Sequence, residues 1–310
     1  MCKMSSILET LKFMLLLIYY YFEVFVMKFC RAPKNVAGEI VLVTGSANGI
    51  GKQIALNFAR LGAILILWDI DEQGNEDTAE LMKRNGALAV YTYKCDCSKR
   101  EEIYAVADQV KKEVGDVNIL INNAGILNGK NFIDLLDSEI EETLDVNIKA
   151  HFWTCKAFLP AMISCNHGHL VTISSTGGLT GANKLSDYCA SKWAETGFLE
   201  AVAFELQAAG KKGIKTTIVF PYYVDTEMVT GVITTRPCLY PILDVEYVGR
   251  KIVDAILKEK FYLFIPPWVC FATLKIFLPT KVIFLLVEYF GIFNNLDHFK
   301  GRKKRKGNKN

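Results

Sequence analysis

The sequence predicts an α/β protein on a doubly wound parallel sheet of the Rossmann type, a single domain with a hydrophobic anchor before it and a membrane-associated segment behind it. Three observations predict this. From Glu39 onward short apolar runs alternate with helical stretches, which is the pattern of βα units around a covered parallel sheet. The first run passes directly into a glycine-rich turn, VTGSANGIGKQIA. Further on, a tyrosine and a lysine stand one helical turn apart in YCASK, residues 188–192.

The chain has 310 residues, enough for one large domain with appendages. Residues 7–30, ILETLKFMLLLIYYYFEVFVMKFC, are almost continuously apolar. A helix needs about 20 such residues to cross a bilayer, and Tyr19, Tyr20 and Tyr21 suit its interface. Glu23 inside the run favours a shallow or monolayer placement. A cleaved leader would have a shorter core, roughly 7–15 residues, and a small-x-small site behind it; no clear site follows. Lys28, Arg31 and Lys34 after the run, against Lys3 before it and Lys12 near its start, place the main domain in the cytosol. The nine cysteines fall in no framework spacing, and Cys95 and Cys97 are too close for a CxxC pair, as expected in a reducing compartment.

The elements follow in order. EIVLVTG is the first strand, and a helix runs from about Ile50 to Leu61. AILILWD is the second strand, followed by a charged helix. AVYTYKCD, VNILINNAG, HLVTISS and IKTTIVFP are the third to sixth strands. Right-handed crossovers wind them into one sheet. After Pro221 the pattern breaks. Residues 222–243 read as a loop or lid, apolar at Met228, Val229, Val232, Ile233 and Leu239. A helix is predicted from about Val245 to Lys258. Residues 261–293 are oily again but are interrupted by Pro266, Pro267, Pro279, Lys275 and Lys281. A segment lying on a membrane fits them, and a buried C-terminal helix pair is the alternative. The predicted organisation is a membrane anchor over 1–35, a main α/β domain over 36–260, a hydrophobic membrane-associated segment over 261–300 and a basic tail over 301–310.

The net charge is +3, yet the last ten residues alone hold six Lys/Arg and no acid. That tail suits anionic headgroups or plain solvent. The body has no basic stripe, so no nucleic-acid partner is expected.

Gly45, Gly49 and Gly51 lie where a strand turns into a helix. Glycines there permit a tight turn and let the backbone approach a pyrophosphate, which the helix N-terminus then holds. An ATP-type loop is excluded, because five residues separate Gly45 from Gly51-Lys52 and Gln53 follows. Asp69 ends the second strand, 24 residues after Gly45. An acid there accepts from ribose hydroxyls and repels a 2′-phosphate, so NAD is expected over NADP. The alternative is that Asp69 merely caps the next helix.

The YCASK pair has its own chemistry. Oxidising an alcohol removes a hydride from carbon and a proton from oxygen. A phenol with a pKa near 10 is a poor base at neutral pH. An ammonium beside it stabilises the phenolate, and residues four apart share a helix face. Taken alone the pair is equally an ordinary polar stripe on a helix; read with the motifs that follow, Tyr188 is the predicted acid/base and Lys192 its tuner. His167 and His169 share a strand direction, but no third ligand stands near them, and no metal is expected.

TGxxxGxG at 44–51, NNAG at 122–125, ISS ahead of a glycine at 173–177 and YxxxK at 188–192 together resemble the short-chain dehydrogenase/reductase family over roughly residues 36–260. The resemblance implies that Lys192 also holds the nicotinamide ribose. It implies that Ser175, thirteen residues before Tyr188, binds the reacting oxygen, with Ser174 the alternative. It implies that Asn147 holds a proton-relay water, against a reading of Asn147 as a helix-kink or cap residue. By the same resemblance the cofactor contacts include Gly45, Ser46, Asn48, Gly49, Ile50 and Gly51 in the turn. Asp96 is expected at the adenine, Asn123, Ala124 and Gly125 at the ribose, and Val224 and Thr226 near the carboxamide. One departure is Pro221-Tyr222, where the family usually has Pro-Gly.

KNVAGEIVLVTG, ILWDIDEQGNE, ADQVKKEVGDVNILINNAGI and NHGHLVTISS are similar to the membrane-associated 16C branch of the family. That likeness implies oxidation of all-trans-retinol to retinal at the endoplasmic reticulum membrane, with lipid droplets a second location. A hydroxysteroid or other lipid alcohol is the alternative substrate, and a catalytically silent lipid-droplet scaffold the alternative of another class. The family often forms homodimers.

Overall fold

The computed structural model describes residues 2–30 and 32–301, with side chains over 8–23 and 32–301. The chain divides into two units, Met1–Asn35 and Val36–Asn310. The first holds a single helix, α1 (Cys2–Cys30), whose large apolar side chains over 8–22 are exposed. Among the described residues no helix is long and apolar enough to cross a membrane. The basic tail lies outside the described residues from 302 on, as do the side chains of Lys3, Lys28 and Arg31.

The second unit alternates strand and helix: β1 (Ile40–Thr44), α2 (Gly49–Ala59), β2 (Ile64–Asp69), α3 (Glu72–Arg84), β3 (Ala89–Lys94), α4 (Arg100–Glu113) and β4 (Ile119–Asn122). It continues through α5 (Asp137–Leu144), α6 (Ala150–Cys165), β5 (Gly168–Ile173), α7 (Ser186–Ala208), β6 (Ile214–Pro221), α8 (Val245–Leu257), β7 (Tyr262–Ile265) and α9 (Thr280–Tyr289). The seven strands form one parallel sheet in the order β3-β2-β1-β4-β5-β6-β7.

Strand alternation builds a core on each face. Val41, Val43, Leu65, Leu67 and Ile119 point to the side covered by α2 and α8, against Phe58 and Ile252. Leu42, Ile66, Trp68, Leu120 and Ile218 point to the other side, against Phe158 and Leu199 of α6 and α7. The sheet order reverses between β1 and β4, which is where such folds open a crevice at the strands' carboxyl ends.

The C-terminal region departs from the predicted division. The sheet does not stop at six strands: Tyr262–Ile265, read in the sequence as the start of a membrane-lying run, pairs with β6 from Ile218↔Tyr262 to Pro221↔Ile265. A 3-10 stretch, Pro267–Phe277, and α9 follow. The chain then returns across the lid. Asn295 O accepts from Ile233 N at 3.0 Å, and Lys300 N donates to Thr230 O at 2.9 Å. Asn183 Nδ2 donates to Phe293 O at 2.7 Å, and Lys184 pairs with Asp297 at 2.7 Å.

Candidate active site

The glycine turn after β1 is folded for close backbone approach. Gly45 has φ +67° and Gly49 φ +55°, the left-handed region that glycine enters without strain. A Cβ on Gly51 would fall on the carbonyl oxygen of Gly45 and 2.6 Å from Asn123 Nδ2. Only glycine lets α2 sit that tightly on the strand end. Asn48 caps α2 with no side-chain hydrogen bond, so the helix presents unpaired first-turn amides to an anion.

The turn after β4 is stitched to the glycine turn. Asn123 Nδ2 donates to Thr44 O at 2.9 Å and to Gly45 O at 3.1 Å. Thr44 Oγ1 accepts from the amides of Asn123 and Ala124, each at 3.0 Å. Behind the turn, Ser46 Oγ lies 3.1 Å from Trp68 O and 2.7 Å from Asn75 Oδ1, while Asn75 Nδ2 donates to Leu67 O at 2.8 Å. Asn75 is buried on α3 and braces the turn from beneath.

Asp69 lines the cavity. Its carboxylate accepts from Ala47 N and Asp71 N, each at 2.9 Å. The helix cap is instead Asp71, whose side chain accepts from Gly74 N at 3.2 Å. Two bonds leave Asp69 with acceptor capacity for ribose hydroxyls. Asp96 accepts from Ser98 N (3.0 Å) and Ser98 Oγ (2.7 Å) and pairs with Lys99 (3.1 Å). Partial burial works against its charged form, but those bonds prevail and hold its pKa below the usual range.

The residues expected to carry the chemistry meet those expected to hold the cofactor across β4 and β5. Lys192 Nζ stands 5.5 Å from the centre of the Tyr188 ring, as the one-turn spacing on α7 requires. Burial raises the Tyr188 phenol, while Lys192 and a hydrogen bond from Ser175 pull it back down. Ser175 Oγ accepts from Gly177 N at 3.1 Å, fixing the serine at the start of the 3-10 turn Thr176–Gly178. Ser174, one residue earlier on the strand, points away from Tyr188: its Oγ donates to Lys192 O at 3.1 Å.

Asn147 lies in a π-helical turn, Asp145–Lys149, between α5 and α6. Its Oδ1 accepts from Ile126 N at 2.8 Å, and its Nδ2 donates to Ile126 O (3.1 Å) and Ser191 Oγ (2.9 Å). The side chain is spent on tying α6 and α7 to the NNAG loop.

These groups surround a cavity of about 750 Å³, within the range of small-molecule and cofactor sites. Of the expected residues, Gly45, Asn48, Gly49, Ile50, Asp69, Asp96, Asn123, Ala124, Gly125, Ser175, Tyr188, Lys192, Val224 and Thr226 line it. Ser46, Gly51 and Asn147 do not. Gly51 packs on Gly45 and Asn147 holds Ile126, both of which line it, while Ser46 is tied to Trp68 and Asn75 behind the turn. Thr226 reaches the glycine turn: its Cγ2 would be 3.3 Å from a Cβ on Gly49.

Several lining residues carry no signal in the sequence. Tyr222, at the Pro-Tyr departure, donates its amide to Ile265 O at 2.8 Å, and its hydroxyl lies 3.1 Å from the buried side-chain amide of Asn295. Val269, Ala272, Ile292 and Phe299 of the C-terminal segment also face the cavity. His167 pairs with Glu39 at 3.1 Å, and His169 is buried 2.8 Å from Thr217 Oγ1.

A strand-end glycine turn, a paired tyrosine and lysine, and a serine one strand away thus converge on one cavity. The family model described as short chain dehydrogenase matches residues 39–237. The chain belongs to that family. As a short-chain dehydrogenase it is an oxidoreductase that works with a nicotinamide dinucleotide. Epidermal retinol dehydrogenase 2 of Mus musculus is 55% identical over 276 residues, 89% of each chain. The 17-beta-hydroxysteroid dehydrogenase 13 of Homo sapiens is 44% identical over 285 residues, 91% of this chain and 94% of that one. A metagenomic short-chain oxidoreductase solved with NADP superposes with TM-score 0.62 at 25% identity, over 74% of this chain and 96% of that one.

Proposed function

We propose that this short-chain dehydrogenase oxidises all-trans-retinol to retinal with NAD, working against a membrane. The observation that carries the chemistry is the convergence of Ser175, Tyr188 and Lys192 at the mouth of the glycine turn. The residues present fit a dinucleotide. The unpaired amides of α2 suit its pyrophosphate, the Gly51 contact allows the close approach, and Asp69 suits its adenosine ribose. When bound, the dinucleotide accepts the hydride released by the alcohol carbon.

The chain's own residues do the rest. Ser175 orients the alcohol oxygen. Tyr188 takes the hydroxyl proton, and Lys192 favours the phenolate that does so. Asn147 fixes the NNAG loop beneath the reacting centre. NAD is proposed because the lining residues around Asp69 (Ile70, Cys95, Asp96, Cys97 and Ser98) include no Lys or Arg that would neutralise a 2′-phosphate.

A lipophilic substrate is supported by the apolar lining residues Val229, Val269, Ala272, Ile292 and Phe299. Membrane contact is supported by Phe271, Leu274, Ile276, Phe277, Phe284 and Leu285, all exposed on the C-terminal segment. The cytosolic face of the endoplasmic reticulum, with lipid droplets as a second surface, is the proposed location. Exposed Trp193 and Phe204 on α7 suit a homodimer. A hydroxysteroid is the second reading, favoured by the likeness to the steroid dehydrogenase.

The test is turnover by membranes carrying the protein, with retinol or estradiol and with NAD or NADP, beside a Tyr188→Phe control. Retinal formed with NAD and lost in the control is expected. Turnover of the steroid alone would overturn the retinoid reading, and equal turnover in the control would overturn the role of Tyr188.

A further inference from the structure

Lys192 has a partner that the YxxxK motif does not contain. Glu195 lies one turn further along α7, on the same face. The lysine ammonium has three donors. One goes to Ile173 O at 2.9 Å and one to Glu195 Oε1 at 2.7 Å. The third is left for the cavity that Lys192 lines. Lys192 is 3% exposed and Glu195 0%, so this ion pair sits in the protein interior directly behind the catalytic phenol.

The surroundings leave Glu195 little other support. Its second oxygen, Oε2, has no hydrogen-bond partner. His151 of α6 stands with Nε2 4.0 Å from Glu195 Oε1, and its own Nδ1 is also without a partner. Burial, aided by Lys192, lowers the His151 pKa to about 3, so the ring is neutral and lends the carboxylate no charge. Burial likewise raises Glu195, to about 8, with Lys192 pulling it back; the phenol is raised from 10, so Glu195 is ionised over the range in which Tyr188 titrates. Around the phenol itself stand Lys192 and Cys189 on α7 and Tyr223 from the lid. Lys192 is the one cation among these groups, and Glu195 is the group that offsets it.

An ammonium stabilises a neighbouring phenolate in proportion to its uncompensated charge. A carboxylate bonded to the far side of that ammonium weakens the effect while fixing where the ammonium sits. We propose that Glu195 is a positioning residue that holds Lys192 at the end of β5 and sets the pH at which Tyr188 releases its proton. This rests on the reading of Tyr188 as the acid/base and adds a residue to it.

The experiment is the pH profile of kcat/KM for alcohol oxidation by the full chain in membranes, for wild type, Glu195→Gln and Glu195→Asp. Glutamine keeps an acceptor for the ammonium and removes the charge. Its acidic limb should move to lower pH by about one unit or more, with the KM for NAD little changed. Aspartate, with its charge drawn back by one methylene, should fall between. Limbs that coincide for all three overturn the proposal, because a purely structural role leaves the profile where it is.

A second measurement needs no turnover. Ultraviolet difference titration of each form against the same form carrying Tyr188→Phe isolates one phenol. A lower midpoint in Glu195→Gln supports the proposal even if the chosen alcohol is not a substrate, and an unmoved midpoint overturns it. Failure of the wild type to oxidise any alcohol would instead count against the proposed reaction.

Discussion

Replacing Gly51 by alanine should unseat the dinucleotide turn, and the cost follows from the packing. Its Cβ would overlap the Gly45 carbonyl oxygen and approach Asn123 Nδ2 to 2.6 Å. Neither neighbour can yield cheaply. One is backbone in a turn already at φ +67°. The other donates to Thr44 O and Gly45 O, and each bond is worth about 1 kcal/mol. Overpacking against a fixed neighbour costs about 1–3 kcal/mol. With one or both bonds disturbed, the loss is about 2–5 kcal/mol, out of a typical total of about 5–15. The control is Gly197→Ala, at an exposed site in the middle of α7 where an added Cβ meets nothing within 4 Å. Helix propensity there predicts a gain of about 0.5–1 kcal/mol. Urea unfolding of both variants, with and without NAD, gives the comparison. Gly51→Ala should unfold earlier and lose its stabilisation by NAD, while Gly197→Ala should unfold later and keep it. Equal midpoints for Gly51→Ala and wild type would refute the close packing of α2 on the strand end.

Three further outcomes are expected. Tyr188→Phe should lower kcat by about 10²–10⁴-fold, with NAD affinity by fluorescence titration unchanged. Asp69→Asn removes the charge opposite the adenosine ribose and should shift the NAD-to-NADP ratio of kcat/KM toward NADP by about tenfold, or 1.4 kcal/mol; an unchanged ratio would show that Asp69 does not select the dinucleotide. His151 has its folded-state pKa lowered from 6.5 to about 3 by burial. The stability it permits is therefore complete above pH 6.5 and is lost toward pH 3, at about 1.4 kcal/mol per unit. Urea midpoints between pH 7 and 4 should fall more steeply for wild type than for His151→Gln.

The placement of the expected cofactor residues around one cavity was legible in the sequence because strict local geometry dictates it. A strand entering a helix through Gly45, Gly49 and Gly51, an acid at the next strand end, and Tyr188 one turn from Lys192 have few alternative explanations. The seventh strand was not legible. YLFI continues into PPWVCFATL without a polar break, so its period cannot be separated from that of the oily run behind it. Glu195 was hidden for the opposite reason. In KWAETGF it reads like any acid on a solvated face, and only the packing of α6 over α7 shows that water never reaches it. Ser46, Gly51 and Asn147 were found by motif, yet the motif does not say that they stand behind the lining and not in it.

The same contrast explains why the reaction class is easier to read than the substrate. Gly45, Asp69, Asp96, Asn123 and Ser175 all stand at or just after the carboxyl ends of adjacent parallel strands, so sheet order alone brings them to one crevice. The substrate side has no such rule. Tyr222, Val229, Val269, Ile292 and Phe299 come from a lid, a 3-10 stretch and a returning C-terminal strand of chain whose spacing carries no period. Their convergence depends on long-range ties such as Ile233 N to Asn295 O and Lys300 N to Thr230 O. Those ties also join the wall of the cavity to the segment that exposes Phe271, Ile276 and Phe277. The wall proposed to select the alcohol is thus continuous with the part whose apolar surface lies open. Exchanging residues 267–301 for another sequence should therefore alter substrate choice and leave the dinucleotide preference, proposed to rest on Asp69, as it was.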